Sequence, residues 1–286
     1  MPFTNVFIPG AGFMGSAIAF LVASKTEAKV TLCDIFPESL QRAKATIDKY
    51  GKSSVDKKFL TQEQFDNLKG RIAFSDNYKD AVDADLVIEA VAEDVKIKQE
   101  LFRHLDQVCN SSTIFGSNTS SLSITSLASV TKRPDRFIGM HFFSPAHIMK
   151  LLELIPGVDT STETFNQVKQ YGELLGKTVI SSKDMPGFIT TRLGLVLVNE
   201  AAFGLMEGLS TAEEIDTGMT LGYNHPMGPL ALADFVGLDI CLHILETLYE
   251  GFGDPKYRAC PLIRQLVAAG HLGRKTGRGF YTYGNN

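Results

Sequence analysis

Short runs rich in β-branched and aromatic residues alternate with stretches of helical period over the first two-thirds of the chain. The runs are Asn5 to Ile8, Lys29 to Cys33, Ala84 to Ala90, Thr113 to Gly116, Arg136 to Met140, Leu151 to Ile155 and Thr178 to Ser181. Strand, helix, strand in that order predicts a parallel, doubly wound sheet, because parallel neighbours need a crossover and the helix supplies it. Past Lys183 to Gly187 the texture changes, and Ile189 to Gly208 and Pro229 to Gly251 read as long helices with almost no strand pattern around them. Pro229 suits a first helical position, where its missing N–H would have had no partner anyway. The expectation is an α/β domain over residues 1–184 followed by a smaller all-α domain over 185–286. Lys49 to Lys58 is the one charged, loose-looking segment.

Composition changes this picture little. A length of 286 residues suits two domains, and 44% hydrophobic with 21% charged residues supplies material for two cores without a disordered tract. The formal charge of −4 offers no basic face, so neither nucleic acid nor a membrane surface is expected as a partner, and an anionic substrate has to be met by local Lys or Arg. Cys33, Cys109, Cys241 and Cys260 are scattered, which fits neither a disulfide framework nor zinc-ligand spacing, and no metal is expected. Met1 to Phe7 runs into the first strand without a leader-like stretch and Gly284 to Asn286 carries no peroxisomal signal, so the cytoplasm is the expected location. The helical domain is apolar on many faces, and a homodimer through it is expected; packing of those faces on the first domain is the alternative.

The first strand leads into Pro9, Gly10, Ala11, Gly12, Phe13, Met14, Gly15 and then an apolar helix from Ala17 to Ala23. This is a G-x-G-x-x-G in the strand-turn-helix setting that gives it meaning, a Rossmann-type fingerprint. Gly10 makes the turn, Gly12 lets backbone approach a pyrophosphate, and Gly15 lets helix and strand pack closely, with the helix N-terminus facing the phosphates. Asp34 ends the second strand 19 positions after Gly15, where a carboxylate accepts from the adenine ribose hydroxyls. No Arg or Lys follows it until Arg42, so a 2′-phosphate would meet negative charge, and NAD is expected over NADP.

Ligands of such sheets sit beyond the carboxyl ends of the strands. One end leads into Ser117, Asn118, Thr119, Ser120 and Ser121, and another into His141. Ser121 has an ordinary reading as a helix cap. If the chain reverses as an antiparallel pair centred on position 147, the residues six before and six after it, His141 and Glu153, lie opposite one another. A carboxylate there would fix the imidazole tautomer and stabilise the imidazolium, as a general base for alcohol oxidation requires. His104, His147, His225, His243 and His271 lack an equally placed acid and read as structural or surface residues.

Together with Glu89 to Glu93, Ser117 to Ser121, His141 to Phe143, His225 to Leu230, Ala231 to Asp239 and Gly273 to Phe280, these motifs resemble the 3-hydroxyacyl-CoA dehydrogenases over almost the whole chain. The resemblance implies NAD-dependent interconversion of a short-chain (S)-3-hydroxyacyl-CoA, such as 3-hydroxybutyryl-CoA, with its 3-oxoacyl-CoA. It implies His141 as base, Glu153 as its partner, and Ser120 on the substrate oxygen or near the nicotinamide. Glu93, Lys98, Asn118, Ser144 and Lys275 join Gly10 to Gly15 and Asp34 in the cofactor set. CoA is expected to use a Lys on the helical excursion after the second strand; Lys52, Lys57 and Lys58 are candidates, and a solvated charged face is the other reading of that cluster. Two positions depart from the family pattern, which has Asn where this chain has Ser144 and Asn where it has Thr191. Thr191 keeps a donor and an acceptor but not the reach of an amide, which bears on substrate positioning. A dehydrogenase of a non-CoA hydroxy acid and a non-catalytic dinucleotide-binding protein are the alternatives.

Overall fold

The computed structural model describes residues 3–284. Met1, Pro2, Asn285 and Asn286, on which the expectations for the two chain ends partly rest, lie outside the described residues. The chain forms two compact units, Met1–Met185 and Pro186–Asn286.

In the first unit the order is β1 (Asn5–Pro9), α1 (Phe13–Lys25), β2 (Lys29–Cys33), α2 (Pro37–Asp56), α3 (Gln62–Gly70), β3 (Ile72–Ser75), β4 (Leu86–Glu89), α4 (Val95–Val108), β5 (Ile114–Ser117), α5 (Ile124–Ala128), β6 (Phe137–Phe142), β7 (Leu151–Pro156), α6 (Thr162–Leu174) and β8 (Thr178–Ser181). One sheet runs β3-β2-β1-β4-β5-β6-β7-β8. Strands β1 to β6 are parallel; β7 is antiparallel to β6, and β8 is parallel to β7. The order reverses between β1 and β4, the switch point at which a doubly wound sheet opens a crevice. Helix α1 is buried from Gly15 to Ala23, which explains its uniformly apolar sequence. It lies in the core with the inward faces of β1, β2 and β4.

Three features depart from the sequence-based expectation. Strand β3 was not expected: it is four residues long, occupies a sheet edge, and only Ile72 in it is buried, so neither length nor alternation announces it. The charged segment from Lys49 is helical through Asp56, because Ala43, Ile47 and Gly51 give that helix a buried face beneath its charges. Strand β6 runs two residues past Met140, so His141 and Phe142 belong to the strand. The reversal of β7 against β6, by contrast, is the antiparallel pair about position 147 that the sequence suggests, and β8 then runs parallel to β7.

The second unit is built from α7 (Thr190–Met206), α8 (Ala212–Gly222), α9 (Pro229–Val236), α10 (Leu238–Phe252) and α11 (Pro261–Ala268). The expected helix from Pro229 to Gly251 is two helices, broken where Gly237 takes φ 108°, a conformation that L side chains rarely adopt. The buried carboxylate of Asp216 accepts from the backbone N–H groups of Leu230 and Ala231 at 2.8 Å each, satisfying donors that the first turn of α9 leaves open. Asp234 accepts from the backbone N–H groups of Phe280 and Tyr281 and from the Tyr283 hydroxyl, fastening the C-terminal segment to α9.

Candidate active site

The glycine turn is shaped by contacts that exclude side chains at two of its three glycines. Gly10 has φ 102°, and a Cβ there would stand 2.4 Å from the Ala90 carbonyl oxygen; one on Gly15 would stand 1.7 Å from the Gly10 oxygen. At Gly12 an added Cβ would meet nothing within 4 Å. Packing therefore explains Gly10 and Gly15, whereas the open space at Gly12 suits the close approach of a ligand to backbone. Gly12 also caps α1, with no side chain bonded to the helix terminus and no acidic residue in its first turn. That arrangement leaves the amides and dipole for a phosphate. Asp34 completes the turn: Oδ2 accepts from the Ala11 N–H at 2.9 Å and Oδ1 from the Phe36 N–H at 3.0 Å. The loop and the acid expected to hold a ribose are thus one hydrogen-bonded unit, flanked by exposed Ile35 and Phe36. Phe13 is exposed and Met14 packs on the core edge.

Along the same sheet edge, β4 and β5 end in register at Glu89 and Ser117. Glu89 is fully buried; Oε1 accepts from Lys98 Nζ at 2.6 Å and the Val91 N–H at 2.7 Å, and Oε2 from the Ser117 hydroxyl at 2.6 Å. Lys98 is 1% exposed, and its ammonium also lies 3.2 Å from Glu93 Oε2. Lys98, expected in the cofactor set, therefore spends its charge between two carboxylates. The other oxygen of Glu93 faces the serine segment, accepting from Thr119 Oγ1 at 2.5 Å, the Ser120 N–H at 2.9 Å and Ser120 Oγ at 3.3 Å. Burial pushes the Glu93 carboxyl up, but Lys98 and the Thr119 and Ser120 donors outweigh it and hold the group below its ordinary value. Ser121 Oγ also faces Glu93, at 3.4 Å, and the cap of α5 is Ser123, whose hydroxyl accepts from the Ser126 N–H. The capping reading of Ser121 is thereby corrected. Asn118 accepts from the Phe142 N–H at 2.8 Å through Oδ1, tying the end of β5 to the end of β6.

His141 and Glu153 are register partners across the antiparallel β6 and β7. His141 Nδ1 lies 3.1 Å from Glu153 Oε2, with Glu153 fully buried and the imidazole nearly so. A carboxylate beside Nδ1 keeps the proton on that nitrogen and places the basic lone pair on Nε2. Because β6 runs parallel to β1, β4 and β5, the His–Glu pair, the serine segment and the glycine turn all lie at one edge of the sheet. Ser144 is exposed on the loop that follows β6.

Lys275 and Thr191 belong to the second unit. Lys275 Nζ lies 2.6 and 2.7 Å from the two oxygens of Asp239, a partner that the sequence reading did not name. Thr191 is buried in the first turn of α7. Lys52, Lys57 and Lys58 are exposed, the first two along a surface groove shared with Asp48 and Asp56. The cysteines are buried and unbridged, and burial pushes the Cys33 thiol up to about 12 and that of Cys241 to about 12, which keeps them protonated and unreactive. Among the described residues no group of three His, Cys, Asp or Glu could hold a metal ion. Glu89 and Ser117 are the site residues that sequence reasoning passed over. Their signal was present, since Glu89 and Ser117 stand near the carboxyl ends of two predicted strands, where the ligands of such a sheet sit.

Comparison with known proteins agrees with this geometry. Residues 5–185 match the family 3-hydroxyacyl-CoA dehydrogenase, NAD binding domain, and residues 187–283 match 3-hydroxyacyl-CoA dehydrogenase, C-terminal domain. A probable 3-hydroxybutyryl-CoA dehydrogenase of Bacillus subtilis is 46% identical over 283 residues, covering 99% of this chain and 98% of that one. The mitochondrial hydroxyacyl-coenzyme A dehydrogenase of Homo sapiens is 41% identical, covering 98% and 91%. The crystal structure of (S)-3-hydroxybutyryl-CoA dehydrogenase from Ralstonia eutropha superposes with a TM-score of 0.96 at 46% identity, covering 99% of this chain and all of that one. The glycine turn with its acid, the paired imidazole and carboxylate, and these full-length matches lead to one assignment: the chain belongs to the 3-hydroxyacyl-CoA dehydrogenase family and is an NAD-dependent oxidoreductase.

Proposed function

We propose that the chain interconverts a short-chain (S)-3-hydroxyacyl-CoA, such as 3-hydroxybutyryl-CoA, and the corresponding 3-oxoacyl-CoA, with His141 as general base and acid. The observation that carries this reading is the buried His141–Glu153 pair at the sheet edge that also bears the glycine turn. Bound NAD supplies the hydride acceptor. In the oxidation direction His141 Nε2 takes the proton of the 3-hydroxyl as the C3 hydride departs, and Glu153 stabilises the imidazolium that forms. In reduction the imidazolium returns that proton to the new alkoxide. The Ser120 hydroxyl serves as donor to the 3-oxygen. Gly10 to Gly15 and the start of α1 hold the pyrophosphate, and Asp34 holds the adenine ribose. Asn118, Ser144 and Lys275 complete the cofactor set, Thr191 helps position substrate, and one or more of Lys52, Lys57 and Lys58 meets the CoA phosphates.

The short-chain preference rests on the similarity to relatives named as 3-hydroxybutyryl-CoA dehydrogenases. A direct test compares acetoacetyl-CoA with free acetoacetate as NADH-dependent substrates. The CoA ester is expected to have the higher kcat/KM by roughly 100-fold or more, because binding energy from a remote nucleotide is used at the reacting centre. Equal values would transfer the reading to a free hydroxy acid. The helical unit exposes Leu193, Leu209, Leu221, Tyr223 and Phe235, which supports a homodimer through that unit. Unbridged cysteines support a reducing compartment, which we take to be the cytoplasm. Among the described residues no helix is long and apolar enough to cross a membrane.

A further inference from the structure

Glu89 has no part in the proton transfer, yet it is as completely enclosed as Glu153. It ends β4, opposite Ser117 on β5, with no exposed surface. Three donors, Lys98 Nζ, the Val91 N–H and the Ser117 hydroxyl, meet its two oxygens at 2.6 to 2.7 Å. The Lys98 ammonium and the Val91 N–H can only donate, which favours the carboxylate form, whereas burial pushes the Glu89 pKa up. A buried ion pair adds little net stability over an apolar replacement, so its presence calls for another explanation.

The neighbouring geometry supplies one. The ammonium that Glu89 holds at 2.6 Å is the same one that lies 3.2 Å from Glu93 Oε2. Glu93 Oε1 in turn carries the serine segment, with two short contacts from Thr119 Oγ1 and the Ser120 N–H, at 2.5 and 2.9 Å, and two long ones from Ser120 Oγ and Ser121 Oγ, at 3.3 and 3.4 Å. One oxygen cannot accept four good hydrogen bonds. The long contacts are the ones an incoming ligand oxygen can replace, while the short ones keep the Ser120 backbone in place. We propose that Glu89 is a positioning residue: through the shared Lys98 ammonium it fixes the Glu93 carboxylate, and through Glu93 it aims the Ser120 hydroxyl at the substrate oxygen. With Glu89 neutral, Lys98 would turn its whole charge on Glu93 and draw that carboxylate away from Ser120.

The inference rests on the reading of Ser120 as a donor to substrate, and a double-mutant cycle separates the two. In E89Q, kcat for acetoacetyl-CoA reduction should fall about tenfold, in the range of couplings within one hydrogen-bond and salt-bridge network. KM and calorimetric NADH affinity should stay near wild type. In an S120A background the same E89Q change should cost almost nothing further in kcat, because its target is gone. A general loosening of the fold would instead lower kcat by the same factor in both backgrounds. Equal losses in the two backgrounds, or unchanged kcat in a folded E89Q protein, would overturn the role of Glu89 while leaving Ser120 as read. If S120A alone keeps full turnover, the reading of Ser120 fails and takes this inference with it. Should E89Q not fold, E89D, which keeps the charge but draws it back from the Lys98 ammonium by one methylene, carries the same comparison.

Discussion

At the scale of single residues, the His141–Glu153 pairing was legible before any coordinates, since spacing about position 147 predicted the register that β6 and β7 adopt. The coupling of Glu89 to Glu93 was not, because it passes through a lysine whose ammonium reaches both only after α4 has folded. Asp34 was legible as the acid after β2, but not its hold on the Ala11 and Phe36 amides. Replacing Asp34 with Ala should therefore weaken NADH binding about tenfold or more, since ribose and loop contacts are lost together; a calorimetric titration reads this, and an unchanged affinity would remove Asp34 from the site. His147, classed from sequence as structural, packs its ring 4.0 Å from that of Tyr50 and edge-on to Phe20. Burial, and then the charge of Lys177, hold its pKa below the ordinary 6.5. The unfolded chain then takes up the proton first as pH falls, so stability present above 6.5 is lost between that pH and the lower folded value. Melting temperatures measured from about pH 7 to 5 should decline less in His147→Phe than in wild type; parallel declines would show that His147 does not contribute.

At the scale of elements, period and punctuation predicted what was long and regular, and missed what depends on tertiary neighbours. Helix α1 was legible from its glycines and apolar run. Strand β3 was not, because its four residues gain their status from pairing with β2. The break between α9 and α10 depends on Gly237, and a lone glycine inside an apolar helical pattern does not disclose φ 108°. Gly15→Ala should disable the glycine turn, since the new Cβ would fall within 1.7 Å of the Gly10 oxygen. The expected result is loss of NADH binding with the far-ultraviolet helical signal largely kept; retained affinity would show that the turn can shift. Gly237→Ala should destabilise by roughly 1–3 kcal/mol, the usual cost of a disfavoured backbone region. It also brings a Cβ within 3.1 Å of Lys275 Nζ, so a chemical denaturation midpoint equal to wild type would contradict the strain ascribed to that position.

At the scale of the whole molecule, two compact units correspond to two matched family regions, the first carrying every residue placed at the sheet edge and the second carrying Thr191 and Lys275. The change from strand-and-helix alternation to helix alone falls close to the boundary between the units; how the second unit meets partners was not readable, because apolar helix faces look alike whether they meet the same chain or another copy. Light scattering should give twice the chain mass, and Leu221→Asp together with Phe235→Asp should shift it toward one chain if those exposed side chains form the contact; an unaltered mass would place the contact elsewhere. The account as a whole stands or falls on proton transfer by one imidazole, and the measurement that addresses it most directly is turnover of His141→Gln with acetoacetyl-CoA and NADH, made alongside a calorimetric titration of the cofactor. The account predicts a kcat lower by about 10² to 10⁴ with NADH still bound at near wild-type affinity. Turnover close to wild type in that variant would contradict it.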